Sequence, residues 1–140
     1  MDAILAIVAA AGCAASAEDL WRGRVSNWTP AAAFVAALVV RIARHGARGA
    51  AEALWGAALG FLIFFVFHWL GGLGGGDVKL MAAFGAALGP QSLCLAAAAG
   101  AVLGAIHALV AACFRARTIP YAPALSLGAV FAALGRSAAL

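Results

Sequence analysis

The sequence predicts an all-α polytopic membrane protein of about six transmembrane helices, with a glycine break before a short fourth helix. Three observations carry this prediction. Apolar residues (Ala, Val, Ile, Leu, Met, Phe, Trp, Tyr, Cys) make up 66% of the 140 residues and charged residues only 10%. Soluble domains run at about 45–50% and about 25%, and a chain this short has too much surface to hide such a surplus. The charges sit between apolar runs, several of them long enough to cross a hydrocarbon core of about 30 Å. The run Gly71-Gly72-Leu73-Gly74-Gly75-Gly76 interrupts the pattern near its middle. One membrane-embedded domain, residues 1–140, accounts for the whole chain. A soluble globular enzyme, a disordered tail and a disulfide scaffold are excluded.

The first helix is expected from about Asp2 to Ala17, ending at Glu18-Asp19. No Lys or Arg precedes it and Asp2 stands where a signal peptide would be basic, so it reads as a retained span. The loop Leu20–Trp28 carries Arg22, Gly23, Arg24 and Asn27. Thr29-Pro30 reads as an N-cap followed by proline at the first helical position. The second helix is apolar from Pro30 to Val40, and Arg41, Arg44 and Arg48 then share a face. These arginines are expected to snorkel to lipid phosphates. A third helix covers about Ala50–Leu70, with Glu52 at its start, where a carboxylate suits the helix dipole. The fourth, Asp77–Leu88, is too short to span alone at about 1.5 Å per residue, and ends at Gly89-Pro90. The fifth runs from about Gln91 to Phe114, before Arg115 and Arg117, and the sixth from near Ile119-Pro120 to about Leu134. The G-x-x-x-G pairs Gly56/Gly60, Gly85/Gly89 and Gly100/Gly104 predict close helix packing.

Several functions are excluded. The net charge of +4 comes from bases flanking apolar runs, not from a basic patch interleaved with aromatics, so nucleic acid is not a partner. The lipid bilayer is. Cys13, Cys94 and Cys113 form no C-x-x-C pair and are expected to be buried, inert thiols. His68 and His107 have no clustered ligand set, so no metal is expected, and each should pair with a backbone carbonyl or a neighbouring helix. Ser16, Ser26, Ser92, Ser126 and Ser137 have no base at a spacing that would make a serine nucleophile.

The chain holds five acids. Asp2 is terminal, and acids at membrane-helix ends, such as Glu18 and Asp19, are often simply solvated. Asp77 follows a glycine run, whose unpaired backbone groups at membrane depth are tolerated only inside protein or beside a wet cavity. An acid there is a functional candidate. Asp19 follows the first span and Asp77 the third, so both fall on one face of the membrane. Two carboxylates brought together can share a proton, one activating water while the other polarises a carbonyl.

Gly74-Gly75-Gly76-Asp77, continuing as Val78-Lys79-Leu80-Met81-Ala82-Ala83, closely resembles the signature of the type IV prepilin peptidases, the G-x-G-D membrane aspartic proteases. Asp19-Leu20-Trp21-Arg22-Gly23-Arg24-Val25-Ser26-Asn27 resembles that family's first motif, an aspartate followed by arginines and Ile-Pro-Asn. Ile119-Pro120-Tyr121-Ala122-Pro123-Ala124-Leu125 is similar to its C-terminal Ile-Pro-Tyr-x-Pro stretch. Nearly the whole chain is covered, and the short Tad/Flp-type branch is the closest fit.

The resemblance implies an aspartic endopeptidase that uses water, two carboxylates and no cofactor. Asp19 and Asp77 carry over as the catalytic pair, with Gly74, Gly76, Lys79, Asn27, Pro120 and Pro123 as motif support. The implied substrate is a prepilin or pseudopilin whose short basic leader is removed at the cytoplasmic face of a bacterial inner membrane. Longer relatives carry a segment with paired cysteines and also N-methylate the product, so methyltransferase activity is not implied here. Ser26 stands where the family has proline, which predicts a looser loop. Inner loops would hold Arg22, Arg24, Lys79, Arg115 and Arg117 against outer Arg41, Arg44, Arg48 and Arg136, a near tie, so orientation rests on the resemblance. Opposed helix dipoles predict Asp77 as the resting carboxylate and Asp19 as its proton-bearing partner. Lys79, two residues past Asp77, should point elsewhere, and Glu18 should be idle. Pro120 and Pro123 read first as a helix start and kink. The rival reading is a catalytically silent helical membrane scaffold of a pilus or secretion system.

Overall fold

The computed structural model describes residues 2–113 and 120–138. They form four helices: α1 (Ala3–Arg22), α2 (Trp28–Trp69), α3 (Gly75–Cys113) and α4 (Ala122–Ala138). Phe114, Arg115, Arg117 and Ile119, and the side chains of His107, Arg136 and Ser137, lie outside the described residues. Among the described residues, α1 and α2 are long and apolar enough to cross a membrane.

Local chemistry explains the boundaries. The Asp2 carboxylate accepts the Ile4 N–H at 3.3 Å and starts α1. Gly23, in the left-handed region, ends it and returns its N–H to the Asp19 carbonyl. The acids therefore do not stop the helix as expected; Glu18 and Asp19 occupy its last turns. The 20 residues of α1 are about 30 Å long, one hydrocarbon thickness. At α2, Thr29 is not the N-cap: the helix begins at Trp28 and the Thr29 hydroxyl is used elsewhere.

The expected second and third helices are one element broken at Gly46, whose φ of 57° and ψ of −139° only glycine adopts readily. The expected fourth and fifth are likewise joined in α3 across Gly89, at φ 79° and ψ 169°, with Pro90 restarting the helix. The glycine run breaks the chain over a shorter stretch than expected. The linker is residues 70–74, and Gly75 and Gly76 already belong to α3. Helix α4 starts at Ala122, after Pro120, and Pro123 sits in its first turn.

The first half of α3 is the centre of the molecule. Val78, Leu80, Met81, Ala83, Phe84, Ala86, Ala87 and Leu88 are all buried. A helix apolar all round belongs inside. Gly56 of α2 and Gly85 of α3 lie backbone to backbone, and Gly60 rests on the Met81 carbonyl; a Cβ at any of the three would strike main chain. The packing reading of these glycines holds. Gly89 is different, because its positive φ requires glycine. Helix α4 closes against α1 and α3, with Ser126 on Gly12 and Gly128 on the Ala96 carbonyl.

The outer surface is apolar: Leu54, Leu62, Val102 and Phe131 are among the exposed side chains. Cys13, Cys94 and Cys113 are also exposed, not buried as expected. Small apolar thiols suit a lipid-facing surface as well as a core, so composition did not separate the two.

The arginine stripe is also corrected. Arg41 is 2% exposed, donating from Nε to the Ala87 carbonyl at 3.1 Å and from Nη1 to Glu52 at 2.8 Å. Arg44 pairs with Asp2 at 2.7 Å, and Arg48 with Glu52 at 3.1 Å. The Gly46 break turns the chain so that Glu52 comes back beside Arg41. Glu52 is an ion-pair partner, not a dipole cap.

Two outcomes follow from this packing. Gly85→Leu should prevent recovery of folded protein in detergent, measured by size exclusion and thermal unfolding, because its Cβ would meet the Gly56 main chain. Gly135→Ala, with nothing within 4 Å of its added carbon, should leave both measurements unchanged. Arg41→Ala should cost about 1–3 kcal/mol of unfolding free energy, the usual loss when a buried acceptor, here the Ala87 carbonyl, is left without its donor.

Candidate active site

Asp19 and Asp77 are brought together where four chain segments meet. Asp19 sits in the last turn of α1 and its Oδ2 accepts the Ala122 N–H at 3.1 Å, so it caps the start of α4. Pro120 and Tyr121 lead directly into that N–H at the start of α4. Asp77 sits in the first turn of α3, and its own N–H donates to the Gly74 carbonyl at 3.1 Å.

The glycines of the G-x-G-D run have separate jobs. Gly76 faces Val25 of the α1–α2 loop so closely that a Cβ there would lie 2.8 Å from the Val25 carbonyl oxygen. Gly76 thus lets the loop after Asp19 rest on the turn that carries Asp77. Gly74 passes beside the Asp77 carboxylate, where an added Cβ would lie 3.3 Å from Oδ2. His68 Nδ1 holds the linker through the Leu73 carbonyl at 2.7 Å, the backbone pairing expected of it.

Asp77 is 7% exposed, and its Oδ1 has no hydrogen-bond partner among the described residues. It lies outside the apolar spans. Burial, then the neighbouring Asp19 charge, pushes its carboxyl up to about 6, with the Gly74 backbone opposing. This reverses the dipole-based expectation. A helix N-terminus contributes about 0.3–1 kcal/mol, and up to about 2 when partly buried, whereas desolvating a carboxylate shifts its pKa by up to several units. Asp77 therefore keeps its proton up to about pH 6, well above the ordinary carboxylate range.

Lys79 points away from Asp77, as expected, and its Nζ donates to Asn27 Oδ1 at 2.7 Å, tying α3 to the α1–α2 loop. That loop is not loose. Glu18 Oε2 accepts the Ser26 N–H at 2.8 Å, while Oε1 accepts the Ser26 hydroxyl at 2.9 Å and the Thr29 hydroxyl at 3.2 Å. Glu18 is a residue that the sequence reading left idle. Its signal was an acid within reach of hydroxyls and an N–H across a short loop, which no periodicity reports. Among the described residues, no three His, Cys, Asp or Glu side chains converge as metal ligands. An apolar groove of about 470 Å³ opens between the linker and α4, bordered by Phe64, Phe67, Leu73, Gly100 and Tyr121.

Residues 6–109 match the type IV leader peptidase family. This chain belongs to that family. The matched segment contains Asp19, Asn27, Gly74, Gly76, Asp77 and Lys79 and stops short of Pro120 and Pro123. The chain is similar to a prepilin leader peptidase/N-methyltransferase of Bacillus subtilis, 39% identical over 87 residues, which cover 58% of this chain and 35% of the relative. It is also similar to a type 4 prepilin-like proteins leader peptide-processing enzyme of Escherichia coli, 30% identical over 118 residues, 79% of this chain and 38% of that one. A Stutzerimonas stutzeri prepilin leader peptidase/N-methyltransferase is 34% identical over 87 residues, 54% and 30% of the two chains. The chain spans about a third of the length of these curated relatives. No solved structure matches.

The raised Asp77 carboxyl sets a pH dependence. Its folded value lies above the ordinary 3.8, so the proton favours the folded state and that advantage is lost as pH rises from about 4 through about 6. Thermal unfolding in detergent should show the native protein losing stability between pH 4.5 and pH 7. Asp77→Asn, which carries no charge to bury, should flatten that trend and match or exceed the native melting temperature at pH 7.

Proposed function

We propose that the chain is an aspartic endopeptidase that removes the leader of a Flp-type prepilin at the cytoplasmic face of a bacterial inner membrane. The observation that carries this reading is the buried Asp77 carboxyl, with an oxygen that has no partner among the described residues, inside the field of Asp19. Membership of the leader peptidase family supplies the reaction class.

In the proposed cycle Asp77 begins protonated and Asp19 ionised. Water attacks the scissile carbonyl carbon and gives one proton to Asp19, while the Asp77 proton moves to the carbonyl oxygen. The tetrahedral intermediate then collapses. The carbon–nitrogen bond breaks, Asp19 passes its proton to the leaving amine, and the hydroxyl proton returns to Asp77. Both carboxyls end as they began.

The surroundings support a membrane-surface site. Trp21, Trp28 and Trp69 are exposed at the end of the bundle that holds the aspartates, as tryptophans are at headgroup level. Six crossings would follow if both halves of α2 and α3 traverse the bilayer with α1 and α4. The apolar groove beside the linker suits the hydrophobic stretch that follows a prepilin leader.

Co-expression with a candidate Flp-type prepilin, followed by its mobility shift, tests the reading. Asp19→Asn and Asp77→Asn should each abolish the shift while remaining in the membrane, and the double variant should be no worse than either, as for groups acting as a unit. Cleavage retained by both single variants would leave the scaffold reading in its place.

A further inference from the structure

We infer that Glu18 is a positioning residue, which fastens the α1–α2 loop so that Val25 and Asn27 grip the Asp77 turn from both sides. The inference rests on the peptidase reading for its effect on turnover, but not for its geometry.

The loop between α1 and α2 is five residues, Gly23–Asn27. Its middle is fastened to Glu18. Both carboxylate oxygens are engaged, taking the Ser26 N–H, the Ser26 hydroxyl and the Thr29 hydroxyl at 2.8, 2.9 and 3.2 Å. Hydrogen bonds to an ionised acceptor are roughly twice as strong as neutral ones. Two of them on Ser26 and one on Thr29 in the first turn of α2 outweigh the local freedom of a serine.

The residues flanking Ser26 are the two that touch the Asp77 turn. Val25 packs on Gly76, immediately before Asp77. Asn27 receives Lys79, two residues after it. Releasing Ser26 therefore loosens both contacts at once. Glu18 also adjoins Asp19 in sequence, so the same hydrogen bonds hold the helix end that carries the other aspartate. No atom of Glu18 needs to meet substrate. Its effect passes through Ser26 to Val25 and Asn27, and from them to the distance between the carboxyls.

The test combines kinetics with hydrogen exchange on the full chain in detergent, using a synthetic prepilin peptide. Glu18→Ala should lower kcat about 10²-fold, the scale expected when reacting groups shift by about 1 Å, with KM changed less than about threefold. Glu18→Gln keeps one acceptor oxygen and should recover most of that loss. Ser26→Ala, which retains the N–H, should be mild. Exchange at Val25–Asn27 and at Gly76–Lys79 should rise together in Glu18→Ala and return toward native in Glu18→Gln.

Unchanged exchange at Gly76–Lys79 in Glu18→Ala would overturn the inference, as would faster exchange with native kcat. A Gln variant as slow as Ala would also overturn it, pointing to the negative charge itself. If the native chain fails to cut the peptide, the peptidase reading falls, and the exchange data still decide whether Glu18 holds the turn.

Discussion

The structure depends on one close approach: the main chains of α2 and α3 touch at Gly56 and Gly85, and again where Gly60 meets the Met81 carbonyl. In a membrane, lipid tails are as apolar as leucine, so helices gain little from hiding side chains from each other. They associate through packing and short-range contact, which small residues allow. With α2 drawn in on one side and α1 and α4 on the others, the first half of α3 keeps little outward face beyond Lys79. Its apolar residues from Val78 to Leu88 are enclosed almost without exception. That enclosure explains why so short a helix is stable, and it determines the environment of the acid at its start.

The two ends of this central helix are held by opposite means. At one end, Arg41 reaches in from α2, bonds the Ala87 carbonyl and lies against Gly89, where the helix breaks. The guanidinium satisfies a carbonyl that the break would leave without an intrahelical donor, and Glu52 balances its charge. At the other end, the linker leads into Asp77, and among the described residues its Oδ1 has no hydrogen-bond partner. Lys79 is committed to Asn27. A buried guanidinium is thus paired at one end of the helix, and at the other burial raises the Asp77 carboxyl. Polar groups strained in this way cluster at functional sites.

Much of this was legible in the chain. The all-α class followed from composition, the packing roles of Gly56, Gly60 and Gly85 from their spacing, and the meeting of Asp19 and Asp77 at one end of the bundle from topology and motif. What was missed has one physical character: pairings across distance that depend on a backbone break. Arg41 looked like a headgroup arginine because nothing in a periodicity shows that Gly46 turns Glu52 back towards it. Glu18 looked idle because its three donors lie eight and eleven residues away across a loop. The cysteines looked buried because apolar character alone does not distinguish a core from a lipid-facing surface. By contrast, the enclosure of residues 80–88 was written in the sequence as a short stretch with no polar residue, and it was the clue to the Asp77 environment that went unused.

That clue decides which effect governs the aspartate pair. Dipole reasoning treats each carboxyl as sitting at an exposed helix end, where the partial charge of the terminus is the largest influence. Asp77 meets the helix terminus but also loses its water, and the second loss is larger. The Gly74 backbone recovers only part of it. Nearby Asp19 adds repulsion in the same direction. Asp77 in that condition holds its proton at a pH where an isolated aspartate would have lost it. The enclosure of the first half of α3 reaches its first turn, where Asp77 loses its water, and that burial is the largest cause of its raised carboxyl.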